Sequence, residues 1–164
     1  MRTLIPAVLL LATACAPEET EPEETWVRAT IDGQPYERTD VEGVLFTYED
    51  PNHIQMWSEE PLNAVLFGWD GSQSQTWSLA PVTGWGMPAV YLWGEDHSQW
   101  MSISGTFEID WFNHHLFDTG SDGQIGMAGG TFEATLEDMD IGTHRTVEVT
   151  DGAFRCMVTL FEDT

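Results

Sequence analysis

Apolar and polar residues alternate one for one along most of the chain after Trp26. Val27, Ala29 and Ile31 fall on one face of a first strand. Met101, Ile103, Gly105, Phe107, Ile109 and Trp111 fall on one face of a longer strand, with Ser102, Ser104, Thr106, Glu108 and Asp110 opposite. A period of two marks strands with one face on a core and the other in water. Turn-forming clusters punctuate the alternation at Asp32-Gly33-Gln34-Pro35, Glu49-Asp50-Pro51-Asn52, Glu59-Glu60-Pro61, Asp70-Gly71, Gly94-Glu95-Asp96, Asp122-Gly123 and Asp151-Gly152. The pattern predicts one all-β domain over residues 26–164, an antiparallel β-sandwich or a closed or partly closed β-barrel with hairpin and meander connections. Helix should be scarce.

Two local patterns refine this. "HRTVEVT" and "AFRCMVTL" flank Asp151-Gly152, a dipeptide suited to the positive φ angles of a two-residue turn, so they predict a C-terminal hairpin. Phe154, Cys156, Val158 and Leu160 share a phase there, which reads Cys156 as a small core residue with an inert thiol. "SGTFEID" (104–110) and "GGTFEAT" (129–135) echo one another and predict successive strands of one meander.

Before Trp26 the alternation stops. Met1-Arg2 and the nine apolar residues of "LIPAVLLLA" form a leader too short to cross a bilayer, which needs about 20 apolar residues. Leu11-Ala12-Thr13-Ala14-Cys15 places small residues before a cysteine and resembles the lipobox of bacterial lipoproteins. That resemblance implies removal of residues 1–14 and lipidation of Cys15, with Leu11 one place further from the cysteine than usual. Each buried methylene contributes about 0.8 kcal/mol, so two or three acyl chains anchor durably where one does not. The acidic "APEETEPEET" (16–25) lacks the apolar surface to fold and reads as a tether. It reaches at most about 35 Å and holds the folded part off the membrane. By resemblance to Gram-negative sorting, Ala16 in place of Asp implies the outer membrane or cell surface, lipid-anchored.

Composition adds a strong charge bias: 28 Asp and Glu, five Arg, no Lys, and a formal net charge of −23. Such a chain repels phosphate, so nucleic acid is excluded as a partner and attraction to an anionic lipid surface with it. Solubility, or hydration in a salty medium, accounts for the bias without a ligand.

"RATIDGQPY", "ISGTFEI", "MAGGTFEATLED" and "VEVTDGAF" resemble a family of small secreted bacterial lipoproteins classified as a domain of unknown function. The resemblance covers most of residues 26–160. It implies a β-rich exported domain and carries no active site.

Candidate chemistry is sparse. G-x-S-x-G is absent, and without Lys neither S-x-x-K nor Schiff-base catalysis can operate. The carboxylate pairs Glu108/Asp110 and Glu133/Glu137 share strand faces but read as solvated. His114 and His115 point to opposite faces of a strand, so a transition-metal site with them would need a ligand such as His97 or an Asp from elsewhere. "DTGSDGQI" (118–125) matches part of an EF-hand loop, with Asp118 and Asp122 as calcium ligands, but has Gly120 and Gly129 where ligands belong. Aromatics are the most suggestive feature, and Trp57, Trp85, Trp93 and Trp100 are the candidate platform for a glycan or peptide. The sequence thus predicts a non-catalytic, lipid-anchored envelope lipoprotein with a structural or interaction role and no cofactor. A glycan- or peptide-binding module and a calcium-stabilised β domain are the alternatives.

Overall fold

The computed structural model describes residues 24–46, 52–57, 61–69, 74–94, 98–113, 124–140 and 142–161. All regular structure among them is strand: β1 (Trp26–Ile31), β2 (Gln34–Thr39), β3 (Glu42–Phe46), β4 (His53–Met56), β5 (Leu62–Phe67), β6 (Gln75–Leu79), β7 (Ala89–Trp93), β8 (Gln99–Asn113), β9 (Gln124–Asp138) and β10 (Thr146–Phe161). β10, β3, β4, β5, β7, β8 and β9 pair in that order and close on β10, forming a barrel. β1 and β2 lie outside the ring on β10, and β6 lies outside it on β8.

The long strands make this arrangement possible. β9 occupies one edge of β10 throughout, so β1 (against Val149–Arg155) and β3 (against Met157–Phe161) follow one another along the other edge. β8 is shared in the same way, by β7 at Gln99–Met101 and β6 at Gly105–Ile109. The β3–β10 pair is parallel, a departure from the wholly antiparallel expectation. Its two strands are separated by most of the domain, as parallel pairing requires a long crossover.

Asp151-Gly152 is not a hairpin turn. It lies inside the single strand β10, where Val149 pairs with Ala134 and Gly152 with Phe132, so β10 carries one extra residue. β1 records the same step, with Arg28 opposite Ala153 and Thr30 opposite Thr150. Asp151 does adopt the left-handed backbone (φ 52°), but to form a β-bulge. Gly152 is required for space: a Cβ there would drive into the Phe132 carbonyl of β9. The tight hairpin of the described chain is β1–β2, where Asp32 and Gly33 both have positive φ and Ile31 pairs with Gln34.

The single phase expected along 101–111 is also broken. Bulges between Ser102 and Ser104 and between Ile109 and Trp111 each shift the register by one residue. Trp100 and Ser102 therefore join Phe107 and Ile109 inside, while Met101 and Ile103 are half-buried and Trp111 faces out. The echoed motifs do pair as neighbours: Phe107 sits opposite Phe132, their rings stacked at 5.5 Å.

That pair belongs to an aromatic knot filling the barrel. Trp57 lies 5.9 Å from Phe107, 5.3 Å from Phe132 and 5.4 Å from Phe154 between ring centres. All four are essentially inaccessible, so their rings occupy the barrel interior where they meet.

Candidate functional site

The four candidate tryptophans separate. Trp57 is 1% exposed and Trp100 8%, against 72% for Trp85 and 46% for Trp93. Trp57 follows β4 in the left-handed conformation (φ 57°), its backbone N–H donating to Glu42 O at 2.8 Å, and this turn delivers the indole into the knot. Trp100 is turned inward by the Ser102/Ser104 bulge, and its indole N–H donates to Ser98 Oγ at 3.0 Å. Trp57 and Trp100 therefore cannot belong to a surface platform. Trp85 packs against Phe67 at one end of β5, whereas Trp93 donates its backbone N–H to Pro61 O beside Leu62 at the other. Those ends are about 17 Å apart along the strand, so the two exposed rings do not form one patch.

Cys15, Asp118, Asp122, His97, His114 and His115 lie outside the described residues. Among the described residues, no three His, Cys, Asp or Glu side chains gather where a metal ion could be held. Glu108, Asp110 and Glu133 are exposed, and Glu137 is half-buried and engaged with His144 Nδ1 at 2.9 Å. Cys156 is sealed in the barrel, where burial pushes its thiol far above the ordinary range.

The structure brings together a different group. Phe46, His53 and Phe67 are direct cross-strand neighbours on β3, β4 and β5. Ile54 and Met56 of β4 enter the core, so His53 lies on the outer face. There its ring stacks on Phe46 at 4.6 Å and tilts against Phe67 at 5.4 Å. Trp85 stands edge-on over both, 6.0 Å from His53 and 5.2 Å from Phe67. His53 is thus buried although it points away from the barrel interior. Trp85 is delivered by the loop 80–88, whose tip is Gly84-Trp85-Gly86. The Thr83 backbone N–H and hydroxyl donate to Met87 Sδ at 3.4 and 3.5 Å, closing that tip.

Among the described residues of β4, β5 and β7 this outer face carries no formal charge, and on β3 the exposed Glu42 shares the phase of Val44 and Phe46. Beside the aromatic ledge it carries Val44, Gln55, Asn63, Val65 and Tyr91, the last with its hydroxyl pKa raised by burial. The opposite outer face, on β8–β10, carries Glu108, Glu133, Glu148 and Asp151. Among the described residues the two outer faces therefore differ in charge. The signal was present in the sequence: no residue from Gly71 to Gly94 is charged, in a chain where one in five is.

A shallow groove of about 560 Å³ marks the carboxylate face, lined by Thr106, Thr131, Phe132, Glu133, Asp151, Gly152 and Ala153. Trp111 lies outside this lining, paired with Gly129 two residues along β9 from Thr131. Its ring lies over Gly129, where any side chain would collide with it, and Arg155 sits over that ring at 5.7 Å. Arg28 over Trp26, Arg38 over Tyr36 and Arg145 over Trp100 repeat the pairing, so every arginine of the described residues rests on an aromatic ring.

No family model matches the chain, and no curated protein or solved structure matches it.

Proposed function

We propose that this is a non-catalytic, lipid-anchored envelope lipoprotein that works by interaction through the outside of its barrel. The observation that carries the anchor is the placement of Cys156. Sealed among barrel side chains at 0% exposure, it cannot pair with Cys15 unless the barrel opens, which leaves the lipobox-like cysteine for acylation. The aromatic knot supports the second half of the reading, since it occupies the space in which a barrel of this size would hold a small ligand. Attachment at Cys15, followed by the acidic tether, implies display from the outer membrane or cell surface.

Metabolic labelling with an alkyne fatty acid in a Gram-negative host tests the anchor. The wild type and Cys156→Ala should take up label, and Cys15→Ala should not. Label that survives Cys15→Ala, or is absent from the wild type, refutes the assignment.

A second reading is favoured by the groove on the carboxylate face. Its hydroxyls and carboxylates, with the exposed Trp111 further along β8 and β9, suit a neutral glycan or a short peptide. This moves the binding role of tryptophan from Trp57 and Trp100 to Trp111. Glycan-array binding that disappears in Trp111→Ala would establish it, and no binding by the wild type would remove it.

A further inference from the structure

We infer that the outer face of β4 and β5, flanked by Phe46 and capped by Trp85, rests on the surface of the membrane to which Cys15 tethers the chain. The inference depends on the lipid anchor proposed above. Three independent observations carry it.

The first is the chemistry of the ledge. Trp85 is 72% exposed on an uncharged loop, although Phe46, His53 and Phe67 beneath it offer a floor on which it could lie flat. Tryptophan is enriched at the level of lipid headgroups because its ring is apolar and its N–H polar. The second is the distribution of charge. Among the described residues, Glu108, Glu133, Glu148 and Asp151 lie on the β8–β10 face against Glu42 on this one, so this is the side that approaches a membrane with the weaker repulsion between like charges.

The third is reach. The described chain joins β1 at Trp26, which pairs with Arg155 of β10, and the ledge begins at Phe46, which pairs with Phe161. Six residues of strand separate those two positions on β10, about 20 Å. The tether reaches about 35 Å, so a length that can hold the domain clear also lets it tip onto its side. Tethering raises the effective concentration of the ledge at the bilayer. A contact too weak to recruit a free protein can therefore be occupied in the anchored one.

The test uses the lipidated full-length protein reconstituted into zwitterionic phosphatidylcholine vesicles, part of whose lipid is brominated near the headgroup. Flotation reads the anchor, with Cys15→Ala as control. Bromine quenching of tryptophan emission reads the ledge, with Trp85→Phe as the comparison. The expected result is flotation together with quenching that falls at least several-fold in Trp85→Phe, whose circular dichroism should be unchanged. Flotation without quenching, or with equal quenching in Trp85→Phe, overturns the ledge and leaves the anchor standing. Failure of the wild type to float overturns both. Burial of Trp85 in a dimer, seen by sedimentation without bromine quenching, also overturns the lipid contact.

Discussion

The Arg145 guanidinium donates twice to one oxygen of Asp138, from Nη2 at 2.6 Å and Nε at 3.1 Å, while lying 5.2 Å over the Trp100 ring. The Asp138 carboxylate is buried, and its other oxygen accepts the Asp140 backbone N–H at 2.9 Å. The Asp140 N–H first, and Arg145 second, hold its pKa below the ordinary carboxylate value.

A lowered pKa in the fold means the folded state favours the ionised form. The stabilisation is therefore complete above the ordinary carboxylate range and is lost as the pH falls through the lowered value. Asp138→Asn should lower Tm at pH 7 and flatten the acid limb of the Tm profile. An unchanged acid limb would show that this pair carries none of the pH dependence.

The aromatic knot should dominate barrel stability. Phe107→Ala removes a ring in contact with Trp57, Phe132 and Phe154 and is expected to cost about 3–5 kcal/mol. Trp57→Phe should cost less, about 1 kcal/mol, because it also removes an indole N–H that meets no acceptor among the described residues. Urea midpoints at constant slope would check both.

Asp151-Gly152 separates two chemical demands. Asp151→Gly should change stability by only a few tenths of a kcal/mol, since glycine takes the left-handed φ freely. Gly152→Ala should cost about 1–3 kcal/mol, because the added methyl meets the β9 backbone. Equal effects from the two variants would contradict the bulge.

The arginine pairing predicts resistance to trypsin. Arg28, Arg38 and Arg155 lie within strands, and Arg145 is tied to Asp138 and Trp100. The folded domain should survive hours of digestion that cleaves the urea-unfolded chain within minutes, as read by intact mass. Rapid native cleavage after Arg38 would show that β2 opens locally.

The all-β class, the Asp32-Gly33 hairpin, the adjacency of the two echoed motifs and the core phase of Phe154, Cys156 and Val158 could all be read from the residues. The bulges could not, and the reason is specific. In a two-residue hairpin at 151–152, Val149 would face Phe154 on the core side. In one bulged strand, the extra residue shifts the phase so that Val149 and Phe154 again face the same side. Only the strands alongside distinguish the two. The same blindness hid Trp100, which shares the polar phase of Ser104 and Thr106 in an unbroken period and leaves it only through the bulge between Ser102 and Ser104. The charge-free window from Gly71 to Gly94 was legible as composition, but not as a surface, because Phe46, His53 and Phe67 join Trp85 only through the pairing of β3, β4 and β5.

β10 touches β1, β3 and β9, so the barrel cannot close until the chain through Phe161 is available. Trp26 must wait for Arg155, and Glu42 for Met157. Pairings this distant in sequence make folding slow, since much of the chain must be ordered before any of them forms. Until then β1 to β9 lack the partner that closes the ring. The last strand serves as the latch that completes the barrel.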